Sequence, residues 1–360
     1  MVEKIELLRA LPFDIIPVSD GVLLSRGSVR FQISGPDAEF IAGAVADLLT
    51  ASTDREVLLE EFSEPDRANV STVLDQLVAR GFVVVDDHME GAIPDDESPE
   101  DIFYWHFRET KDGVLEGLSE WTVFLIGVNF MTTYLIERLQ RLGVTNVALL
   151  DDPSLRNHRF FNMEGAAKID LGAPIIPASD EEQWLDLVVN SEKVLLVAGS
   201  DYGGARAFRA WNELAVEKEM IFLPVTMRGF RAEIGPVVRP NTGACYECFR
   251  ARENANLEYR ELVRAGEAME EEGQARLAGF VDPMMALVSG AAATQILKLL
   301  AGIALVEPST VTYVSTMKPT MSVHNVLRVP RCRVCSPTQW RPEINLKREE
   351  FRAKLAREQQ

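Results

Sequence analysis

Four cysteines stand in two pairs, Cys245-Tyr246-Glu247-Cys248 and Cys332-Arg333-Val334-Cys335, and the chain has no others. Two Cys-x-x-Cys pairs form the donor set of a tetrahedral thiolate site, and in a reducing compartment zinc is the metal such a set selects. Because all four ligands are cysteine, no coordination position is open to water, so a structural role is expected rather than a catalytic one. The 83 residues between the pairs, 249 to 331, exceed a zinc-ribbon loop, and the metal is expected to clip distant parts of one domain together. No cysteine is then left for transthiolation, which needs a free thiol of low pKa.

A second signature is a phosphate site without its phosphate-binding residues. The stretch "VFLIGVNFMTTYLIERLQRLGV", 123 to 144, reads as a strand, a turn and a helix. In nucleotide-binding α/β domains such a turn is glycine-rich, which lets the backbone approach a phosphate at the helix N-terminus. Here it is Gly127-Val128-Asn129-Phe130-Met131-Thr132, with one glycine. Among the replacements only Asn129 readily adopts positive φ. Phe130 and Met131 put bulk where a triphosphate would lie, so a packed turn is expected and ATP is not.

These residues need a scaffold. From 121 onward strands and helices alternate: "WTVFLIGV", "TTYLIERLQRLG", "NVALLDD", "SEKVLLVAGS", "ARAFRAWNELAVEKE" and "MIFLPVTMRG". Near-continuous apolar runs of this kind mark parallel strands covered on both faces. A long helix, "PMMALVSGAAATQILKLLAG", and an antiparallel pair, "TVTYVSTM" and "TMSVHNVLRV", come after them. Residues 12 to 34 read instead as a small antiparallel meander. Three helices come next, the first with apolar positions Phe40, Ile41, Ala44, Val45, Leu48 and Leu49, the third with Val70, Val73, Leu74 and Leu77, and then a strand, "FVVVDD". That order is a winged-helix layout over 1–87. An acidic, Pro/Gly-rich linker with the aromatic cluster "IFYWHF" spans 88–118, the α/β domain 119–340, and a charged helix 341–360.

At 360 residues and 47% hydrophobic content the chain has ample material for buried cores. A net charge of −18 argues against nucleic acid and anionic lipid as partners, which need clustered Lys/Arg. The N-terminus "MVEKIELLRALPFD" lacks a signal-peptide core and no stretch approaches 18 uninterrupted apolar residues, so a cytoplasmic protein without membrane contact is expected.

Residues 119–340 resemble the ThiF/MoeB/ubiquitin-activating superfamily: the strand, the degenerate glycine turn, "LLDD" ending the second strand, "SDYGGARAF", one Cys-x-x-Cys, a late small-residue-rich helix and a second Cys-x-x-Cys. The resemblance implies a Rossmann-type fold with homodimer packing, and in active members adenylation of a peptide C-terminus. Carried over residue by residue, it makes Gly127, Asn129, Asp151, Asp152, Lys168, Asp201 and Arg206 a vestigial nucleotide site, with Tyr202 where the family has asparagine and Asn157-His158-Arg159 in place of an Asn-x-Arg. Residues 1 to 86 resemble in element order the PqqD-like leader-peptide recognition domain. That resemblance implies a peptide held as an extra strand on the third strand, beside the third helix, with Val29, Arg30, Phe31, Gln32, Ile33, Arg67, Val70, Val73, Gln76 and Leu77 as candidate contacts.

Taken together, the chain resembles the ThiF-like partner proteins of thiazole/oxazole-modified peptide biosynthesis. The function this implies is non-catalytic: binding a precursor's leader and presenting its core to a YcaO-type cyclodehydratase for azoline formation. Two alternatives stay open, an ATP-dependent peptide-adenylating enzyme of the ThiF type and a winged-helix DNA-binding regulator.

Overall fold

The computed structural model describes residues 6–85, 98–168, 171–271, 279–304, 306–318 and 320–336; the helix expected at 341–360 and the first part of the expected linker lie outside the described residues. The chain divides into two compact units, Met1–Leu118 with Leu299–Ala304, and Ser119–Lys298 with Leu305–Gln360.

The first unit opens with β1 (Leu7–Ala10) and the expected meander, β2 (Asp14–Val18), β3 (Gly21–Arg26) and β4 (Val29–Ser34). Alternation along β3 and β4 sends Val22, Leu24, Phe31 and Ile33 inward. Two-residue turns fix the register, pairing Val18 with Gly21 and Arg26 with Val29. Gly21 is required where it stands: at φ 132° a Cβ would lie 2.0 Å from the Ile33 carbonyl oxygen. Then come α1 (Ala38–Leu48), β5 (Thr53–Asp54), α2 (Arg55–Glu60), α3 (Arg67–Ala79) and β6 (Val83–Val85). A second sheet forms in the order β5-β1-β6, all antiparallel. The sequence pattern does not announce β1, whose four residues are too few to display an alternation.

Helix α3 buries Val70, Leu74 and Leu77 as the periodicity predicts, with Val73 partly buried. Helix α1 differs from the prediction. Phe40 is 71% exposed and Leu48 is also exposed, while the buried stripe is Ala38, Ala42 and Val45. Small alanines let the helix backbone lie close to the meander, and steps of four and three residues from Ala38 leave Phe40 on the outer side. The described part of the expected linker is not extended chain but holds α4 (Pro99–Trp105) and α5 (Lys111–Ser119). Ser98 and Asp101 close a capping box on α4, and Trp105 packs with Leu11 and Val84.

The second unit is a mixed α/β layer structure around one eight-stranded sheet, ordered β14-β13-β12-β11-β10-β7-β8-β9. Strands β7 (Thr122–Ile126), β8 (Val147–Asp151), β9 (Ile175–Pro177), β10 (Val194–Ser200) and β11 (Ile221–Arg228) are parallel. The antiparallel extension is β12 (Arg231–Ile234), β13 (Thr310–Ser315) and β14 (Thr320–Asn325). The helices are α6 (Phe130–Arg141), α7 (Glu181–Leu185), α8 (Ala205–Glu217), α9 (Tyr246–Ala255), α10 (Arg260–Glu271) and α11 (Asp282–Ala301). Every residue of β7 and β10 is buried, as strands covered on both faces require. Chain order reverses between β8 and β10 on either side of β7, and the crevice at that switch point is where open α/β sheets bind ligands. Among the described residues α11 is long and apolar enough to cross a membrane by length and composition, with half of its apolar window buried in the protein.

The core of this unit closes on Trp184, fully buried with its ring 5.1 Å from that of Phe124. Trp184→Ala is expected to cost about 3–5 kcal/mol, as large-to-small core changes do. A denaturant midpoint within error of the parent protein would show that this core does not limit stability.

Candidate functional site

At the switch point the turn predicted to be packed is filled by the chain's own groups. Gly127 leaves β7 at φ 99°, where a Cβ would lie 2.8 Å from Asn129 Nδ2 and 2.8 Å from Leu155 Cβ. Asn129 is fully buried as the N-cap of α6: its Oδ1 accepts the Thr132 N–H (3.2 Å), and Thr132 Oγ1 accepts the Asn129 N–H (3.2 Å). Asn129 Nδ2 donates to the carbonyls of Leu155 and Gly199, both at 2.8 Å. Met131 is buried and Phe130 packs edge-on against Phe160 and Phe280. Leu155, which nothing in the sequence singled out, is wedged between the two strand ends: a Cβ on Gly204, just past β10, would lie 2.5 Å from its Cδ2.

The anion-binding end of α6 is also taken. The Phe130 backbone N–H donates to Asp201 Oδ2 (3.1 Å), and Asn157 Nδ2 donates to the same oxygen (3.0 Å). Asp201 is 1% exposed and its Oδ1 has no hydrogen-bond partner among the described residues. Burial pushes its carboxyl above the ordinary range, outweighing the hydrogen bonds from Asn157, the Phe130 N–H and its own backbone that favour the charged form. The structure therefore brings Gly127, Asn129, Asp201 and Asn157 together at the start of α6.

The other candidates are committed or apart. Arg156 binds Asp151 bidentately, Nε to Oδ1 at 2.6 Å and Nη2 to Oδ2 at 2.5 Å, and stacks on Phe161. Asp152 accepts from the Ser154 N–H (2.9 Å) through Oδ1 and from Trp211 Nε1 (2.8 Å) through Oδ2. Tyr202 is buried, its hydroxyl donating to the Ser154 carbonyl at 2.6 Å. Lys168 and Arg206 are exposed, in contrast to the buried Asp201.

The four cysteines converge. Cys245 is the N-cap of α9 and Cys248 lies in its first turn, while the second pair sits beyond β14 in a segment pinned by Arg252, which donates to the carbonyls of Leu327 (2.6 Å) and Arg328 (3.1 Å). The sulfurs lie 3.9 Å (Cys245–Cys248), 3.7 Å (Cys245–Cys332) and 3.5 Å (Cys248–Cys335) apart, all four within 4.8 Å of one another. A zinc–sulfur bond of about 2.3 Å in a tetrahedron gives edges of about 3.8 Å, so the donor set fits a metal such as zinc. Val329 N–H points at Cys248 Sγ at 3.3 Å, the kind of outer contact that steadies a thiolate ligand. Burial pushes the Cys248 thiol up to about 11 and the Cys245 thiol further, so metal loading must expel protons.

In the first unit a groove of about 430 Å³ runs between the end of β4 and α3, lined among others by Gln32, Ile33, Asn69, Thr72, Val73 and Gln76. Four of the ten predicted peptide contacts thus face one cleft. Phe31, Val70 and Leu77 are core, as is Ile33 on its inner side; Val29 is partly buried, Arg30 is exposed, and Arg67 is turned to the carbonyls of Phe62 (3.1 Å) and Glu60 (3.4 Å). The second unit has a cavity of about 220 Å³ lined among others by Arg228, Arg231, Glu233, Tyr246, Arg250 and Glu253, which sequence reasoning missed because its charges are scattered over 26 positions. Arg250 there is buried and pairs with Glu253 and Glu267.

Two outcomes are expected. Protein purified without chelator carries about one zinc per chain by elemental analysis, and Cys245→Ser lowers unfolding stability by far more than the roughly 1 kcal/mol typical of point changes; metal-free native protein would refute the site. For Asp201 the raised folded pKa means that burying its charge costs stability at neutral pH, and that stability recovers as pH falls through that pKa. Asp201→Asn should therefore melt at or above the parent at pH 7.5 and lack that acid-side recovery, whereas a lower melting temperature at both ends of a pH 5–8 series would mean that the charge itself holds the turn.

Residues 182–335 match the ThiF family model. Among solved structures, E. coli MccB crystallised with AMPCPP and selenomethionine MccA aligns with TM-score 0.63 at 14% identity, over 92% of this chain and 99% of MccB. A further crystal structure of E. coli MccB gives 0.66 at 14% identity, over 93% of this chain and 98% of MccB. The heterocyclase TruD gives 0.61 at 15% identity over 92% of this chain, which spans 43% of TruD. A search of curated proteins finds no match. At these identities the solved structures establish a shared fold, and the second unit is a Rossmann-like α/β structure of which residues 182–335 match the ThiF family model.

Proposed function

We propose that the chain is a non-catalytic scaffold that binds the leader of a ribosomally made precursor peptide and presents its core to a separate YcaO-type cyclodehydratase for azoline formation. The observation that carries this reading is the groove beside β4. That strand is the edge of the meander, so a peptide can pair with it as an added strand while its side chains enter the cleft against α3. The first unit is accordingly read as a PqqD-like winged-helix recognition domain, a reading favoured by its meander, three helices and returning strand.

The switch point supports the absence of catalysis. A nucleotide would have to displace the Asn129 amide and Leu155 and then face the Asp201 carboxylate at the end of α6. Two like charges in a desolvated crevice repel, and the acidic strand end offers no relief because Asp151 is neutralised by Arg156 and Asp152 is held by Ser154 and Trp211. The fold shared with a protein named as a heterocyclase, over less than half of that protein, fits a partner supplying the catalytic part. Tethering a leader near a partner's active site raises local core concentration to about millimolar for short flexible linkers. A cytoplasmic homodimer with one structural zinc per protomer, bound to neither nucleic acid nor membrane, completes the proposal.

A second reading, a peptide-adenylating enzyme, is favoured by one observation: the fold matches nearly all of MccB, which has been crystallised with AMPCPP and MccA.

One pair of measurements separates the two. A fluorescently labelled leader peptide of a Cys/Ser/Thr-rich ribosomal precursor should bind the protein, and Gln32→Ala with Gln76→Ala should weaken it roughly tenfold by removing two hydrogen-bonding walls. With peptide, ATP and magnesium the protein alone should release neither AMP nor ADP; peptide-dependent release would decide for the adenylating enzyme.

A further inference from the structure

The open edge of β4, whose Ser34 end forms one wall of the groove, is electrically polarised along its length, with Arg30 and Arg80 beyond the groove at one end and Asp37 within it at the other; we propose that this polarity selects its peptide: an extended segment with a carboxylate side chain at one end and an uncharged or cationic residue about four positions away. This rests on reading the groove as a leader-peptide site.

Strand β4 and α3 run so that Asn69 and Thr72 stand by the Ser34 end, while Arg80, the C-cap of α3, holds its guanidinium 4.2 Å from the centre of the Phe31 ring. Arg30 precedes Phe31 on β4; both arginines are exposed, and neither forms an ion pair among the described residues. The opposite end carries Asp37, the only charged side chain among the described residues that line the cleft. It stands at the N-cap of α1, yet its carboxylate makes no cap bond to that helix. Between the two ends the polar walls are amides and hydroxyls, Gln32, Ser34, Asn69, Thr72 and Gln76.

Arg30 and Ser34 are four strand residues apart, about 13 Å. That exceeds the screening length of about 8 Å at physiological salt, so the two ends are read independently by whatever lies on β4. The whole chain carries −18, a field that repels acidic peptides everywhere except where local cations overcome it. An acidic residue is therefore tolerated at the Arg30/Arg80 end and disfavoured beside Asp37. Exposed pairs are individually weak, so the spacing of charges sets selectivity more than any single contact.

The test is selection of displayed random decapeptides on the full-length protein, followed by fluorescence-polarisation titration of an enriched peptide. Enriched sequences should place Asp or Glu about four positions from a neutral or basic residue, and exchanging that acid for Lys should weaken binding roughly tenfold. Arg30→Glu with Arg80→Glu should reverse this preference, Asp37→Lys should relax the exclusion of acids at the other end, and binding should weaken with added salt. Thr72→Trp, filling the cleft from an exposed position, locates the peptide. If it abolishes binding while the charge variants change nothing, the polarity proposal falls and the groove reading stands. If it leaves binding intact, or no peptide is enriched, the groove reading falls as well.

Discussion

A carboxylate buried at the N-terminus of a helix organises the second unit. Asp201 receives the first N–H of α6, holds Asn157 and lies where the switch-point crevice would otherwise receive an anion from outside. The helix dipole and the hydrogen bonds favour the charge, the dipole by up to about 2 kcal/mol in a partly buried setting. Taking a carboxylate out of water costs several kcal/mol, and the upward shift of the Asp201 carboxyl shows which effect is larger. The arrangement does not stabilise the fold by its charge. It persists because the crevice is filled from two sides, Asn129 tying the Leu155 and Gly199 carbonyls together and Asp201 tying Asn157 to the first N–H of α6.

That filling explains how a Rossmann-like unit tolerates a turn with bulky residues. Once the Asn129 amide joins β10 to the loop after β8 by hydrogen bonds to the carbonyls of Gly199 and Leu155, side chains at 130 and 131 pack against the chain's own groups. Gly127 stays a glycine for a local reason: its positive φ, and the lack of room for a Cβ beside Asn129 and Leu155. A remaining glycine in such a turn is thus compatible with loss of phosphate binding, since close packing against the chain's own groups demands it as strictly as a nucleotide would.

Legibility from sequence tracks the range over which each signal acts. The parallel strands are readable because burial on both faces leaves continuous apolar runs, and the cysteine site because four thiolates at paired spacing have few other uses. The face of α1 is not: apolar periodicity favours large residues, whereas the buried stripe is built on Ala38 and Ala42, whose value is close approach rather than bulk. Helix α4 hides in a segment that composition alone marks as linker, although its Ser98-x-x-Asp101 cap is written there. Leu155 and the pairing of Arg156 with Asp151 are beyond reach, because whether an acidic strand end faces a ligand or a neighbouring arginine depends on how the adjoining loop folds. For the groove, the order of elements locates the cleft, but only burial divides its residues into those that build the core and those that face out.

The sheet and the cysteine cluster bear on one another in a way neither does alone. Strands β12 to β14 extend the sheet by antiparallel pairing beyond the parallel set, and β14 is exposed along its whole length. An edge strand with so little burial is held mainly by its ladder to β13 and by the chain on its C-terminal side. That chain is the segment pinned by Arg252, and it delivers Cys332 and Cys335 to the start of α9. A metal joining those thiolates to Cys245 and Cys248 would close the loop from α9 through β13 and β14 back to α9, fixing an edge that hydrophobic burial leaves weak. A ligand set with no open coordination position would thus serve a sheet that ends in a poorly buried strand.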